Sequence, residues 1–498
     1  MRTRISEPLW VTLISHLLAR HDVETAAILF GEVVRGDDDG DVLVIRQVVP
    51  VPDDAYLERR IDRIRIDPVA LNRLVRRARD KGWSIITAHS HPGTSTPWFS
   101  WADDAGDARL MPSFAVQVPG VPHGSIVVAG DNGAATLRLF EDPTSHPAVL
   151  AVVGRTFTTW PAAASASSET HHRQHLALGE SGQAALERLR VGVVGAGGTG
   201  SVVAAQLAHL GVGELVLVDG DVVEKSNVSR IIGATVVDVG TAKVEVVARY
   251  ARGLGVDVRT VPRALLRAAD AAALNGCDVV FSCVDRHVPR ALLNRFSYDA
   301  CVPVIDLGTV FRVDASGTVT GDGGRVVLVG PGRPCMACEG LLDPERLRVE
   351  QLSDEERERG RAEGYVLGAE LPQPAVISFN TTVAGAAVTE LLRMVTGFAG
   401  ASDPPDRLSF SFSAGTVRRT RLPAGTACRI CEDPHTGDAQ VASRGGLAAG
   451  APGPARGILQ HELVRRDPRA SQAQHRRRRR RRERRRVLHR PLREHGRA

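Results

Sequence analysis

"RVGVVGAGGTGSVVAAQLAHLGVGELVLVDGD", residues 190–221, decides the fold of the larger part of this chain. A short apolar run ends in a loop of four glycines, Gly195, Gly197, Gly198 and Gly200. An alanine-rich stretch of helical spacing follows, and a second apolar run closes on Asp219 and Asp221. Strand, glycine turn, helix, strand is a βαβ unit. Backbone N–H groups and the helix dipole make such a loop a cradle for phosphate. Asp219 suits a ribose hydroxyl, which by itself fits NAD as well as ATP.

The residues that follow favour ATP. "SNVSR" and "GTAK" place Asn227, Arg230 and Lys243 downstream of Asp219. A pyrophosphate can be satisfied by backbone amides alone, whereas a triphosphate under attack needs extra cations and a magnesium ion. "FSCVDR" then supplies Asp285 after another apolar run, suitably placed for that magnesium. With "CDVVFSCVD" and "VPVIDLG" as further buried strands, the alternation argues for a mostly parallel, Rossmann-like sheet with helices on both faces.

As a set these residues resemble the ThiF/MoeB and ubiquitin-activating superfamily, whose members adenylate the C-terminal glycine of a ubiquitin-like protein. The likeness covers most of residues 173–432. It implies that Gly195, Gly197, Gly198 and Gly200 cradle the nucleotide, Asp219 holds the ribose, and Asn227, Arg230 and Lys243 engage phosphates. Asp285 would bind Mg2+, and Asp221 completes a D-x-D or only orients the loop. Arg173 would reach the γ-phosphate of a neighbouring protomer, which makes a homodimer the expected assembly. "CMAC" and "CRIC" offer Cys335, Cys338, Cys428 and Cys431 as a closed, structural zinc site. The charged stretch 354–374 holds no cysteine for a thioester, and Cys277, Cys283 and Cys301 read as buried small hydrophobes.

A second constellation lies upstream in "ITAHSHPGTSTPWFSWADDAGD", residues 86–107. On a strand His89 and His91 face one side, and a helix starting near Ser100 returns Asp103 toward them. Two imidazoles and one carboxylate leave a position open, the pattern of a catalytic zinc. The same "SWAD" also reads as an ordinary N-cap with acids in the first turn. Trp98 and Trp101 read as core packing. With "ETAAILFG" upstream, these segments resemble the JAMM (MPN-type) zinc isopeptidases. The likeness implies His89, His91 and Asp103 as zinc ligands, Glu24 as general base toward the attacking water, and Ser100 as donor to the oxyanion. Eight residues separate His91 from Ser100 where the family pattern has seven, which leaves Asp103 and Asp104 as alternatives.

The expected organisation is a JAMM-type α/β domain over 1–155, a linker over 156–172, a ThiF-type domain over 173–432 and a disordered arginine-rich tail over 433–498. The 498 residues carry a formal net charge of +6, but residues 443–498 hold 18 arginines against 4 acids, so residues 1–442 carry −8. Such a tail binds nucleic acid non-specifically if at all. No apolar run is long enough for a membrane span. Paired C-x-x-C motifs among seven cysteines favour metal binding in a reducing cytoplasm over disulfides. The expected activity is ATP-dependent adenylation of a ubiquitin-like or sulfur-carrier protein ending in glycine, coupled to zinc-dependent cleavage at that terminus. The rivals are a scaffold with one inactive head and an NAD oxidoreductase.

Overall fold

The computed structural model describes residues 1–431 apart from 38–39, 132, 142–143, 162–168, 315, 317, 363–374, 401–403 and 423–427. The arginine-rich tail and the middle of the segment expected as a linker lie outside the described residues, as does the end of the stretch 354–374.

The amino-terminal part runs β1 (Arg2–Ser6), α1 (Glu7–Leu17), β2 (Ala26–Val34), β3 (Val42–Pro50), β4 (Tyr56–Arg59), β5 (Ile64–Ile66) and α2 (Pro68–Lys81). It continues through β6 (Ser84–Ser90), α3 (Trp101–Gln117), β7 (His123–Ala129), β8 (Ala134–Glu141), β9 (Thr144–Val153) and β10 (Phe157–Trp160). The opening residues divide into a strand and a helix between Ser6 and Glu7, with Pro8 in the first helical turn, where proline is tolerated. Residues 157–160, expected within the linker, instead pair with β9.

These strands form a sheet ordered β1-β3-β2-β6-β7-β8-β9-β10, and β1 also pairs with β9, so the sheet curls closed on itself. Alternation then separates two faces. Leu29, Ile45, Ile86, Ile126 and Leu150 meet α1 on one face. Ile28, Phe30 and Ile85 meet Val75 of α2 and Phe114 of α3 on the other. The short β4–β5 hairpin stands apart as its own two-stranded sheet.

The second part runs α4 (His172–Glu187), β11 (Arg190–Val194), α5 (Gly200–Leu210), β12 (Glu214–Val218), α6 (Lys243–Arg252), β13 (Asp257–Val261), β14 (Val279–Ser282) and α7 (His287–Asp299). Then come β15 (Val304–Val313), β16 (Val319–Val329), α8 (Pro344–Gln351), α9 (Asp354–Ala362), α10 (Ile377–Val395), β17 (Arg407–Ser411) and β18 (Thr416–Thr420). The sheet order is β13-β12-β11-β14-β15-β16-β17-β18. The first five strands are mutually parallel and the last three extend the sheet antiparallel. Val193, Leu215 and Leu217 pack toward α5, α6 and α10, while Val216, Val218 and Val280 face the α7 side. The parallel half is therefore doubly wound, and its order reverses between β11 and β14, where such sheets hold ligands.

Candidate functional sites

Antiparallel register assembles the upstream site. Ala26 of β2 lies opposite His89 of β6, so Glu24, two residues before Ala26, falls opposite His91 on the same face. His89 Nε2 lies 3.1 Å from His91 Nε2 and 3.0 Å from Asp103 Oδ1, and His91 Nε2 lies 3.4 Å from Asp103 Oδ2 and 3.8 Å from Glu24 Oε1. One ligand atom each from His89, His91 and Asp103 fall within 4.8 Å of one another. Glu24, His89 and His91 are all buried.

Ser100 is the N-cap of α3. Its backbone N–H donates to Asp103 Oδ2 at 2.6 Å and its Oγ accepts from the Asp103 N–H at 3.3 Å. The same carboxylate thus caps the helix and faces both imidazoles. Asp104 points away to the Arg138 guanidinium, 2.6 Å distant, so Asp103 is the acid that faces the imidazoles. Arg138 also binds the buried Asp107 and stacks 3.9 Å over Phe99, which packs the lengthened loop ahead of the cap. Trp98 and Trp101, expected in the core, are 53% and 74% exposed. Both stand on the rim of the site, with Trp98 edge-on to His91.

The environment sets the charge of the two acids. Burial pushes the Glu24 carboxyl up to about 7, against the pull of the two histidines. Burial opposes ionisation of Asp103 as well, but hydrogen bonds from His89, His91 and the Ser100 amide outweigh it and hold that carboxyl well below the usual range. The result is a fixed carboxylate beside one that titrates near neutrality. The β4–β5 hairpin holds the Glu24 segment, a role with no local signature in the sequence. The Glu24 amide donates to the Arg60 carbonyl at 2.8 Å, and Arg59 Nε donates to the Glu24 carbonyl at 2.9 Å.

At the second site the glycine loop follows β11. Gly195 has φ +92°, and a Cβ on Gly200 would fall 1.7 Å from the Gly195 carbonyl, so neither tolerates a side chain. A Cβ on Gly197 would meet nothing within 4 Å, which leaves that side of the loop open. Gly198 faces Arg230 and the amide of Asn380 on α10, a residue the motifs did not single out. Asp219 accepts from the Ala196 and Asp221 amides at 2.6 and 2.8 Å, and burial raises its carboxyl. Lys243 Nζ pairs with Asp221 at 2.7 Å, Asn227 is buried and accepts from the Glu224 amide, and Arg230 donates to the Ser226 carbonyl.

Asp285 is exposed just beyond β14, at the same end of the sheet. Arg290 of α7 holds its strand end by donating to the carbonyls of Val284 and Asp285, and is itself anchored by Asp306 at 3.1 Å. Arg173 is exposed at the first turn of α4.

Four sulfurs gather on the α7 side. Cys335 Sγ lies 3.6 Å from Cys338 and 3.7 Å from Cys428, and Cys338 lies 3.6 Å from Cys431. Zn–S bonds of about 2.3 Å at a tetrahedral centre give edges of about 3.8 Å, so the cluster has the size of a zinc tetrathiolate. Disulfide sulfurs approach to about 2 Å. The neighbouring thiols, Cys431 foremost, draw Cys335 down to about 5, the direction that favours a bound cation. Burial instead pushes Cys277 up to about 12 and Cys301 up to about 11, and raises Cys283, which leaves all three poor nucleophiles.

No helix among the described residues is long and apolar enough to cross a membrane. The model of the ThiF family matches residues 171–430, and that of the prokaryotic homologs of the JAB domain matches residues 6–140. The chain is 37% identical over 163 residues to the SAMP-activating enzyme E1 of Haloferax volcanii, covering 32% of this chain and 57% of that protein. It is 32% identical over 260 residues to the adenylyltransferase and sulfurtransferase uba4 of Aspergillus fumigatus, covering 51% and 49%. It is 35% identical over 247 residues to the adenylyltransferase and sulfurtransferase MOCS3 of Mus musculus, covering 49% and 48%. It thus spans about half the length of the curated relatives it matches. With the family model extending over half of its residues, this chain belongs to the ThiF family and bears, ahead of that domain, a JAB-like domain.

Proposed function

We propose that the protein adenylates the C-terminal glycine of a ubiquitin-like or sulfur-carrier protein and hydrolyses a peptide or isopeptide bond at that terminus. The observation that carries the first activity is the constellation of open glycine loop, Asp219, Arg230, Lys243 and Asp285 at one end of the parallel strands. The names of the relatives, which refer to activation of SAMP and to adenylyl and sulfur transfer, support it.

In the adenylation step a carboxylate oxygen of the carrier attacks the α-phosphorus of ATP, and the α–β bridging bond breaks to release pyrophosphate. The loop amides bind phosphate oxygens, Asp219 holds the ribose, and Asn227, Arg230 and Lys243 offset the developing charge. Lys243 would exchange Asp221 for a phosphate. Asp285 suits Mg2+. In a dimer, Arg173 would reach the partner's nucleotide. A tetrathiolate zinc would clip residues 335–338 to 428–431, and the lack of a suitably reactive cysteine supports an adenylate as the product rather than a thioester on this chain.

At the other head His89, His91 and Asp103 suit a zinc ion, which when bound supplies Lewis acidity and lowers the pKa of a water to about 7. In this reading Glu24 takes the proton of the attacking water and returns it to the leaving amine, and Ser100 Oγ donates to the oxyanion. Incubating the protein with ATP, Mg2+ and a carrier extended beyond its terminal glycine, followed by intact mass spectrometry, tests both steps. The expected products are the trimmed carrier and then its adenylate. An unchanged carrier mass would contradict the reading.

A further inference from the structure

The two heads are not beads on a tether. Arg4 of β1 is fully buried between them and donates to the carbonyls of Ala300 at 3.0 Å and Cys277 at 2.7 Å. Arg46 donates to the Asp299 carbonyl, Arg2 pairs with Asp278, and Arg333 donates to the Arg155 carbonyl. Val42, Val44, Ala151 and Val153 on the outer face of β3 and β9 join the same apolar core as Leu186 and Val191. A buried guanidinium bonded to two carbonyls of the other domain, embedded in a shared core, fixes the orientation of two domains rather than permitting them to swing.

Where this interface lies matters for the chemistry. Cys277 and Asp278 precede β14, Asp299 and Ala300 precede β15, and Arg190 begins β11: these are the amino ends of the parallel strands. The glycine loop, Asp219 and Asp285 follow the carboxyl ends of β11, β12 and β14. Within the JAB-like domain the contact uses β1, β3, β9 and the β2–β3 loop, whose Asp37 also pairs with Arg263 just past β13, whereas His89 sits on β6, across the closed circuit from β1 and beneath α3. The hydrolytic centre therefore lies at the start of β2, remote from the ThiF contact, and the glycine loop lies at the end of β11, remote from the contact with β1, β3 and β9. Five parallel-strand residues at about 3.3 Å each, together with a small barrel about 14 Å across, put the sites on the order of 30 Å apart.

We infer that trimming and adenylation occur in separate encounters: a carrier tail released at the histidine site returns to solution before it reaches the glycine loop. This rests on the function proposed above. A carrier molecule seated with its tail at one centre cannot present the same tail to the other, because the intervening interface is rigid and each site lies remote from it in its own domain. Each head must then recognise the carrier with its own surface.

Two measurements on the full chain test this. Spin labels on Trp101→Cys, beside the histidine site, and Arg286→Cys, beside Asp285, report the separation by pulsed electron–electron resonance. With the labelled chain diluted in an excess of unlabelled chain, so that only pairs within one chain of the proposed dimer are read, one narrow distance near or above ~30 Å is expected; a short distance, or a broad distribution reaching short ones, overturns the inference. In the second, an unlabelled carrier with a C-terminal extension past Gly-Gly is mixed with ATP, Mg2+ and a tenfold excess of the same carrier, isotopically labelled and already ending in glycine. Release predicts that early adenylate is almost wholly labelled, in the ratio of the free pools. Adenylate enriched in the unlabelled species would show direct transfer and overturn the inference. Absence of any adenylate from either species would instead contradict the proposed function, leaving the measured distance to stand or fall by itself.

Discussion

Ser100 and Asp103 cap one another: the Ser100 amide donates to Asp103 Oδ2 at 2.6 Å while Ser100 Oγ accepts from the Asp103 amide. The carboxylate that begins helix α3 is thereby the one presented to His89 and His91. Asp103→Asn should keep much of the cap and lose metal, leaving one zinc per chain instead of two. Asp104→Asn, which loses only the Arg138 contact, should retain both. Elemental analysis of the purified variants decides, and equal zinc in all three proteins would remove Asp103 from the site.

Glu24 gives a pH signature in protein stripped of the histidine-site metal. Its folded value of about 7 stands above the unfolded one of 4.5. The folded state thus holds a proton that the unfolded state gives up, and stability falls as pH rises between those values. Above pH 7 the penalty approaches about 3 kcal/mol, and below about 4.5 it vanishes. Glu24→Gln should therefore raise Tm of the stripped protein at pH 8 and leave it unchanged at pH 4.5. A uniform shift at both pH values would show that burial of the charge is not the cause. With zinc restored, the same variant should bind metal normally and lose cleavage by at least 100-fold.

The four-cysteine cluster should behave as a structural clip. A Cys335→Ser and Cys338→Ser pair should lose one zinc and lower Tm by several degrees, while leaving the zinc held by His89 and His91 in place. Separate zinc losses in the cysteine and histidine variants would establish two independent sites. A single shared loss would contradict them.

Arg290 offers a test of the magnesium role proposed for Asp285. Because its guanidinium holds the carbonyls of Val284 and Asp285, Arg290→Met should loosen the placement of Asp285. The Mg2+ concentration needed for half-maximal pyrophosphate exchange should rise about tenfold, while AMP affinity changes little. The substitution also leaves Asp306 with Arg325 as its remaining charged partner, so Tm should be recorded alongside. Equal loss of AMP and Mg2+ binding would indicate general collapse rather than mispositioning.

The parts legible in the sequence are those written in short, local spacing. The glycine loop, His89 and His91 two apart on a strand, and the C-x-x-C pairs each carry their geometry within a few residues. Asp103 could not be told from Asp104 because the choice depends on Arg138, a long-range partner on β8. Trp98 and Trp101 read as core by residue type, yet they fall on a loop and helix start at the rim, where backbone placement overrides hydrophobicity. Arg4, Arg59 and Arg290 were invisible for the same reason. A lone arginine satisfied by carbonyls distant in sequence leaves no pattern, although these residues hold the domains, the Glu24 segment and the Asp285 strand end.

ATP–pyrophosphate exchange in the presence of a carrier protein ending in glycine tests the adenylation reaction itself. Exchange should require both carrier and Mg2+ and fall by at least 100-fold in Asp219→Ala or Lys243→Ala. No exchange, with a nicotinamide dinucleotide binding at the glycine loop instead, would contradict it.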